Sequence, residues 1–459
     1  MKLLLVIAFL VLMPCVAFAS PPQAERLTQR LTELLPSDAR WGVTVLELKN
    51  GKEIITAGNV DEPLAPASLV KLITAGAALE RKTDAKPLVL TTEILHDGTR
   101  EGSTLNGSIY LYGNGNCLLT TNDLKQAAQA LRDTGITIIT GGVVADATGF
   151  DARGLERTRG GAGHAPVSAL GIDLHTVSVS ATPAEEGQSP RVTIEPPNDQ
   201  VRFAVAARTV SGGRNSLTIS QNDDNGYRIS GTIPGDAAPD RRRFPLANPA
   251  RYAAQSFRSI LIQTGIKVKG EATTGRTPND AAILATIPGP STEQLVREMN
   301  TNSLNVAADN LLLAMVSHPD GSPSTRDQGV AVINSHLARH GISSEEAHIV
   351  DGSGLLPANY ITVSALARYL AAVSHQPWFC DLRDSLPRSG LDGTLRNGSF
   401  KNERFRAKSG SLENVVSLAG YGVDKNGREI AFAFIANTPG PLPPNAVRAG
   451  DEVMRFLAE

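Results

Sequence analysis

Along the chain, apolar and polar positions alternate with a period of two over Trp41–Leu48, pause at Asn50-Gly51 and resume over Glu53–Thr56. Alternation around an Asn-Gly pair predicts an antiparallel hairpin. Pro66-Ala67-Ser68-Leu69-Val70-Lys71 then opens a Leu- and Ala-rich pattern running to about Glu80, which predicts a helix with Ser68 in its first turn. From about Lys86 the texture changes to short alternating runs, Leu88–Leu95 and Ser108–Tyr112 among them, interrupted by one amphipathic stretch, Asn122–Asp133. Between Arg191 and Ile233 the pattern is strand and turn, broken at Pro196-Pro197, Gly212-Gly213 and Asn225-Gly226. Helical spacing returns over Pro249–Thr264, Thr292–Val316, Thr325–His340 and Val363–Val373. Asn414–Val423 and Arg428–Asn437 flank a Lys425-Asn426-Gly427 turn as a second hairpin, and Asn445–Leu457 closes as a helix.

The two ends of the chain thus share helices and a hairpin sheet, while the middle is β-rich. This predicts an α+β protein in which helices pack on an antiparallel sheet. The expected organisation is a discontinuous domain, 20–85 and 288–459, carrying a β-rich insertion at 86–287 of one or two nested units. Its outer part is expected at 86–100 and 178–287 and its inner part at about 101–177.

The first residues read as an address. Lys2, an apolar run from Leu3 to Met13 and Ala17-Phe18-Ala19 before Ser20 form the three regions of a secretory signal, with cleavage after Ala19. The run is too short to cross a bilayer core, which takes about 20 apolar residues, and Pro14 beside Cys15 fits a lipoprotein signal poorly. An exported, oxidising compartment permits a bridge between Cys117 and Cys380, but the two lie far apart in sequence, and free thiols are expected. The C-terminal helical stretch carries Arg448, Asp451, Glu452 and Arg455 and has no basic membrane-lying face, so no membrane anchor is expected. Composition narrows the partners. With 459 residues, 41% hydrophobic and 20% charged, the chain is neither disordered, collagenous nor a coiled coil. Its 44 basic against 46 acidic residues leave a net charge of −2, so no global field draws it to nucleic acid or to an anionic membrane.

Three short motifs carry chemistry. Ser68 is followed three residues later by Lys71, and positions i and i+3 share a helix face, so the amine can reach the hydroxyl and take its proton. A helix start also aims free N–H groups at the reacting atom. Ser303-Leu304-Asn305 lies in the helical run after Met299, whereas a similar tripeptide, Ser220-Gln221-Asn222, enters an Asp-Asp-Asn-Gly turn and is expected in a solvated loop. Lys408-Ser409-Gly410 precedes the second hairpin, where an edge strand with a small residue and a glycine would let a peptide lie along it.

In this order the motifs resemble those of the active-serine penicillin-recognising enzymes, in which S-x-x-K, S-x-N and K-T-G frame one cleft. The interval from Ser68 to Ser303 is far larger than a single-domain β-lactamase needs. It resembles the low-molecular-mass class C penicillin-binding proteins, the D-alanyl-D-alanine carboxypeptidase/endopeptidase family S13. Ala165-Pro166-Val167-Ser168-Ala169-Leu170, Gly265-Ile266-Lys267-Val268-Lys269-Gly270, Asp351-Gly352-Ser353-Gly354-Leu355, Gly390-Leu391-Asp392-Gly393-Thr394-Leu395 and Ser411 through Tyr421 match the same pattern. The likeness covers nearly the whole chain after the signal.

The resemblance implies a transpeptidase-like serine-enzyme fold and a penicillin-inhibited DD-peptidase of the periplasm. Peptidoglycan stem peptides and β-lactams are its implied ligands, and it takes no cofactor and no metal. Ser68 would be the acylated nucleophile and Lys71 its general base, kept neutral by neighbouring Lys408. Ser303 would relay the proton to the leaving amine, and Asn305 would hold the substrate carbonyl and orient Lys71. Lys408 and Ser409 would grip the terminal carboxylate beside Gly410, and the N–H groups of Ser68 and Ser411 would form the oxyanion hole. Ser409 stands where the family has threonine. Members that read diaminopimelate place an arginine just after D-G-S-G-L; here Pro357 occupies that position, while Glu413 follows the third motif. An enzyme tolerating lysine or amidated diaminopimelate at the third stem position is therefore expected, unless Arg388 fills the gap.

Other features read as packing or solvation. His336 and His340 are spaced i, i+4, but Leu337 stands where a zinc protease has glutamate, which favours a surface or core pair. Gly113-Asn114-Gly115 reads as a turn, Arg241-Arg242-Arg243 as a solvated face, and Asp351 as a turn-forming residue. A β-lactamase lacks a visible deacylating carboxylate here, and a murein-binding scaffold with a decayed cleft conflicts with the intact motifs.

Overall fold

The computed structural model describes residues 22–81, 88–155, 162–316 and 321–459. The segment read as a secretory signal lies outside the described residues. The described residues open with α1 (Pro22–Thr32), whose Leu27 and Leu31 are one turn apart and fully buried. β1 (Arg40–Glu47) and β2 (Glu53–Gly58) form the first hairpin. A single 3-10 turn, Ala67–Leu69, leads into α2 (Val70–Glu80), in which every residue from Val70 to Leu79 is buried. A helix apolar on all sides runs through the middle of a core.

The middle of the chain leaves this layer. Its five-stranded sheet orders strands 272–274, 143–146, 109–113, 91–96 and 282–288. α3 (Thr121–Asp133) and α4 (Pro249–Gln263) pack on it around Leu124, Ala128, Phe257 and Ile260. A second core, centred on Val177, Val179, Tyr227, Ile229 and Ile233, belongs to the strands between Thr176 and Pro245. The strands thus group otherwise than the sequence suggested. Strands 109–113 and 143–146, expected in an inner unit at 101–177, pair with 91–96 and 272–274 in one sheet. Parallel pairing of segments so distant in the chain leaves no local sequence signature.

The chain returns through α5 (Thr292–Asn302), α6 (Asn305–Ala314), α7 (Arg326–Arg339), α8 (Val363–Val373) and α9 (Phe379–Asp384). The helical run expected over 292–316 is broken at Ser303, which adopts left-handed backbone (φ 55°). Then follow β3 (Arg388–Ser389), β4 (Asn402–Leu412), β5 (Val415–Val423), β6 (Glu429–Asn437) and α10 (Ala449–Ala458). The antiparallel sheet has the order β2-β1-β6-β5-β4-β3, so strands from the two ends of the chain meet at its centre. β6 shows the period of two. Ile430, Phe432, Phe434 and Ala436 join the core under α1 and α10, while Ala431, Ala433 and Ile435 face the core of α2 and α8. Helices packed on a sheet, with a β-rich middle, give the α+β class. Among the described residues no helix is long and apolar enough to cross a membrane.

Candidate active site

Ser68 sits in the 3-10 turn that runs into α2, two residues before Val70 opens that helix, rather than in the first α-helical turn as expected. The residue before it, Ala67, has φ +50°, a left-handed conformation that costs a non-glycine residue roughly 1–2 kcal/mol. Surrounding backbone holds it there. Gly354 (φ +81°) lies so close to the Ala67 carbonyl that any Cβ would collide with it. On the other side Ser417 Oγ donates to Pro66 O at 2.8 Å, and a Cβ at Gly410 would come within 3.0 Å of Ser68 N. The third motif is thereby packed against the first.

Lys71, the second residue of α2, is fully buried. Its Nζ donates to Ser68 Oγ at 2.9 Å, Asn305 Oδ1 at 2.7 Å and Ser353 O at 2.7 Å. Asn305 opens α6, and its Nδ2 donates to Gly163 O at 2.8 Å, which fixes the amide orientation and brings a turn from the middle of the chain beside Lys71. Ser353 O is placed by a buried turn in which Asp351 accepts from Gly354 N at 2.6 Å, Leu356 N at 2.8 Å and Asn359 Nδ2 at 3.0 Å. Asp309 Oδ1 accepts from Gly352 N at 2.9 Å. The turn-forming role read for Asp351 is the one it occupies.

Across the cleft, Lys408 is also fully buried. Its Nζ donates to Ser303 Oγ at 2.9 Å and to Ser409 O at 2.7 Å. Burial first, and then the charge of Lys71, hold its ammonium well below the usual value near 10.5. The break at Ser303 is what lets this contact form, because its backbone turns out of α5 before α6 begins. Ser409 Oγ donates to Thr394 Oγ1 at 3.0 Å. β3 pairs only with the early part of β4, up to Arg406, so the edge of β4 from Lys408 onward faces the Ser68 turn. Ser411 follows on this strand, paired with Val416 of β5, and its side chain is exposed.

The structure therefore brings together Ser68, Lys71, Ser303, Asn305, Lys408, Ser409 and Gly410. Glu413 stands apart in the exposed turn between β4 and β5, and no hydrogen bond or ion pair among the described residues joins it to the others. Arg388 Nε is held by Asp392 Oδ2 at 2.7 Å, and among the described residues no hydrogen bond or ion pair joins it to the turn that carries Pro357. Three groups escaped the sequence reading: Gly163 O, Ser353 O and Thr394. The first two act through main-chain oxygen, which carries no side-chain signal.

Features outside the cleft are consistent with blander roles, with one change. Ser220 lies on strand Thr218–Asp223 rather than in a loop, because Ile219 and the Gly226–Ser230 strand draw it into a sheet. Arg241, Arg242 and Arg243 are exposed on a strand, with Arg242 held by Asp240. Cys117 is buried, its thiol pushed up to about 12 by desolvation; Cys380 is exposed, and both are free.

Comparison with known proteins finds relatives over nearly the whole chain. The chain is 29% identical to a D-alanyl-D-alanine carboxypeptidase of an Actinomadura species, covering 96% of this chain and 87% of that protein. It is 26% identical to the D-alanyl-D-alanine carboxypeptidase DacB of Haemophilus influenzae, over 95% of this chain and 93% of the relative. The crystal structure of penicillin binding protein 4 (dacB) from Haemophilus influenzae shares its fold, with a TM-score of 0.78 at 23% identity over 94% of this chain and 99% of that one. The model of the D-Ala-D-Ala carboxypeptidase 3 (S13) family matches residues 23–457, and the chain belongs to that family.

Proposed function

We propose that this protein is a serine DD-peptidase that removes terminal D-alanine from D-Ala-D-Ala stem peptides and opens D-alanyl crosslinks through an acyl-enzyme on Ser68. The observation that carries this reading is the 2.9 Å bond between Lys71 Nζ and Ser68 Oγ in a cleft closed by Lys408 and Ser303. Lys71, in its neutral form, takes the Ser68 proton as Oγ attacks the penultimate D-alanyl carbonyl. Asn305 and the Ser353 carbonyl keep the amine pointed at Oγ. The oxyanion is stabilised by the Ser68 and Ser411 N–H groups at the β4 edge. Ser303 passes a proton to the leaving amine, and Lys408 with Ser409 receives the terminal carboxylate. Water then attacks the acyl carbon and releases Ser68. Two amines in one cleft repel each other's charge, so a proton on one favours a neutral partner.

The same reading places the catalytic domain at 20–85 and 288–459 and the insertion at 86–287, with the strands between Thr176 and Pro245 as its nested unit; the strand pairings support this division. The signal-like start supports export to the periplasm. Fluorescent penicillin tests the central assignment. One added drug mass per chain is expected for the wild type, and labelling that persists in Ser68→Ala would refute the nucleophile.

A further inference from the structure

The far end of α2 carries a cluster that the reaction does not use. Glu80, the last residue of α2, faces His336 on α7 and His340 at the C-cap of that helix. His336 Nδ1 lies 2.8 Å from Glu80 Oε2, and His340 Nε2 lies 3.6 Å from Glu80 Oε1. The three side chains bring one ligand-type atom each within 4.8 Å of one another. Those separations suit a shared cation, because atoms bound at about 2.0–2.1 Å around a tetrahedral zinc stand roughly 3.3 Å apart.

A second observation points to a ligand. His340 Nε2 is buried without a hydrogen-bond partner, and its side chain is only 7% exposed. Buried polar nitrogens are nearly always paired, and this one is aimed at the carboxylate. The supporting groups are also in place. His336 Nε2 meets the Tyr369 hydroxyl at 2.8 Å, and that hydroxyl lies 3.4 Å from Leu72 O. With Nε2–H donating to Tyr369, Nδ1 is the ring nitrogen His336 turns to the cluster, where it donates to Glu80 and offers its lone pair to a cation once that proton leaves for solvent. Gly76, in the middle of α2, makes the room: a Cβ there would collide with the Tyr369 hydroxyl and come within 3.0 Å of His336 Nε2. Arg339 also bonds the Glu80 carboxylate, and Trp378 stands against both imidazoles.

We propose that Glu80, His336 and His340 bind one zinc-class divalent cation that staples the end of α2 to α7. Two imidazoles and a carboxylate are donors that suit zinc better than magnesium or calcium. Uptake of the metal displaces the His336 Nδ1 proton and draws the Glu80 carboxylate from Arg339. Water completes the coordination from the side where Glu80 is 22% exposed. Ser68 lies at the opposite end of α2, about 18 Å away along twelve helical residues, so the cation is structural and takes no part in acylation. The sequence pattern hid the site because its third ligand comes from 256 residues earlier in the chain than His336.

Titrating the metal-free full-length protein with zinc by calorimetry, and with cobalt as a spectroscopic probe, tests this. One site per chain, a tetrahedral cobalt absorption band and a rise in Tm with zinc are expected. His340→Gln should abolish the band and weaken zinc at least about a hundredfold. Tyr369→Phe, which keeps all three ligands, should weaken it about 10- to 100-fold. Wild-type affinity and stoichiometry in the His336→Gln/His340→Gln double variant would overturn the site. A wild type with neither cobalt band nor Tm shift would overturn it without any variant having to fold. Penicillin labelling of Ser68 should proceed equally with and without zinc, and a requirement for zinc would overturn the structural role.

Discussion

The two walls of the cleft each bury a lysine, and they treat it differently. Lys71 is surrounded by oxygen from three separate stretches of chain: its own turn, the start of α6 and the Asp351 loop. Lys408 donates to one serine hydroxyl and to the carbonyl of its own neighbour, Ser409, and its charge is disfavoured by burial. On the proposed mechanism, the first wall holds an amine in one position so that it can take a proton from Ser68. The second keeps an amine under-solvated, so an arriving carboxylate replaces water it has already lost. Position is the product of one wall and charge recognition that of the other.

The largest effect should come from the first wall. Lys71→Ala is expected to slow acylation by peptide, ester and penicillin alike, by about 10²- to 10⁴-fold. Stopped-flow acylation rates measure this, and a loss confined to carboxylate-bearing substrates would erase the distinction between the walls. Gly354→Ala probes the same wall through backbone. The new methyl meets the Ala67 carbonyl at a position with φ +81°, so Ser68 must move, and a shift of about 1 Å is worth up to about 100-fold in acylation rate. An unchanged rate would mean that the Asp351 loop does not position the nucleophile.

Lys408→Met should separate recognition from chemistry. D-Ala-D-Ala peptides should lose about 10- to 100-fold in kcat/KM relative to an uncharged ester, the value of one charge-assisted pair. The same variant should be more stable than the wild type near neutral pH. The folded-state pKa of Lys408 lies below the unfolded value near 10.5. Between the two, the unfolded chain holds a proton that the folded chain has released, so wild-type stability rises with pH across that window. Chemical denaturation from pH 6 to 10 should show this slope reduced in Lys408→Met; identical slopes would contradict a disfavoured charge. The smallest effect concerns the third stem residue. With Pro357 exposed and Arg388 held by Asp392, free diaminopimelate should gain less than about tenfold in kcat/KM over lysine or amidated diaminopimelate, a difference matched peptides can read.

Much of the site was legible because its residues come in adjacent groups. Ser68 with Lys71, Ser303 with Asn305, and Lys408 with Ser409 and Gly410 each sit within one turn or one strand step, where spacing implies proximity. The break at Ser303 had a signal in the Asn300-Thr301-Asn302-Ser303 run, since such side chains compete for backbone partners and favour helix ends. It went unread because apolar spacing continues through it. α1 was amphipathic and also overlooked. β5 and β6 were plain, being apolar on both faces. The grouping of the middle strands was not legible, because the five-stranded sheet depends on pairings between distant segments. Glu413 was assigned to the cleft from its place after the third motif; it lies in the exposed turn between β4 and β5.

The pairing of β1 with β6, Arg40 opposite Asn437 through Glu47 opposite Ile430, sets an order of assembly. A chain delivered from its N-terminus presents β1 and the Ser68 turn first, while the partners that complete them come last. β1 has no neighbour on its inner side until β6 emerges, and Pro66 has no Ser417 to hold it until β5 does. The strands between Thr176 and Pro245 close their own core much earlier. Contacts that join the ends of a chain form slowly. On the proposed reading, the nascent protein therefore carries Ser68 for most of its synthesis in a turn that neither Gly354 nor Ser417 yet holds, and it becomes a peptidase only when the last strands arrive.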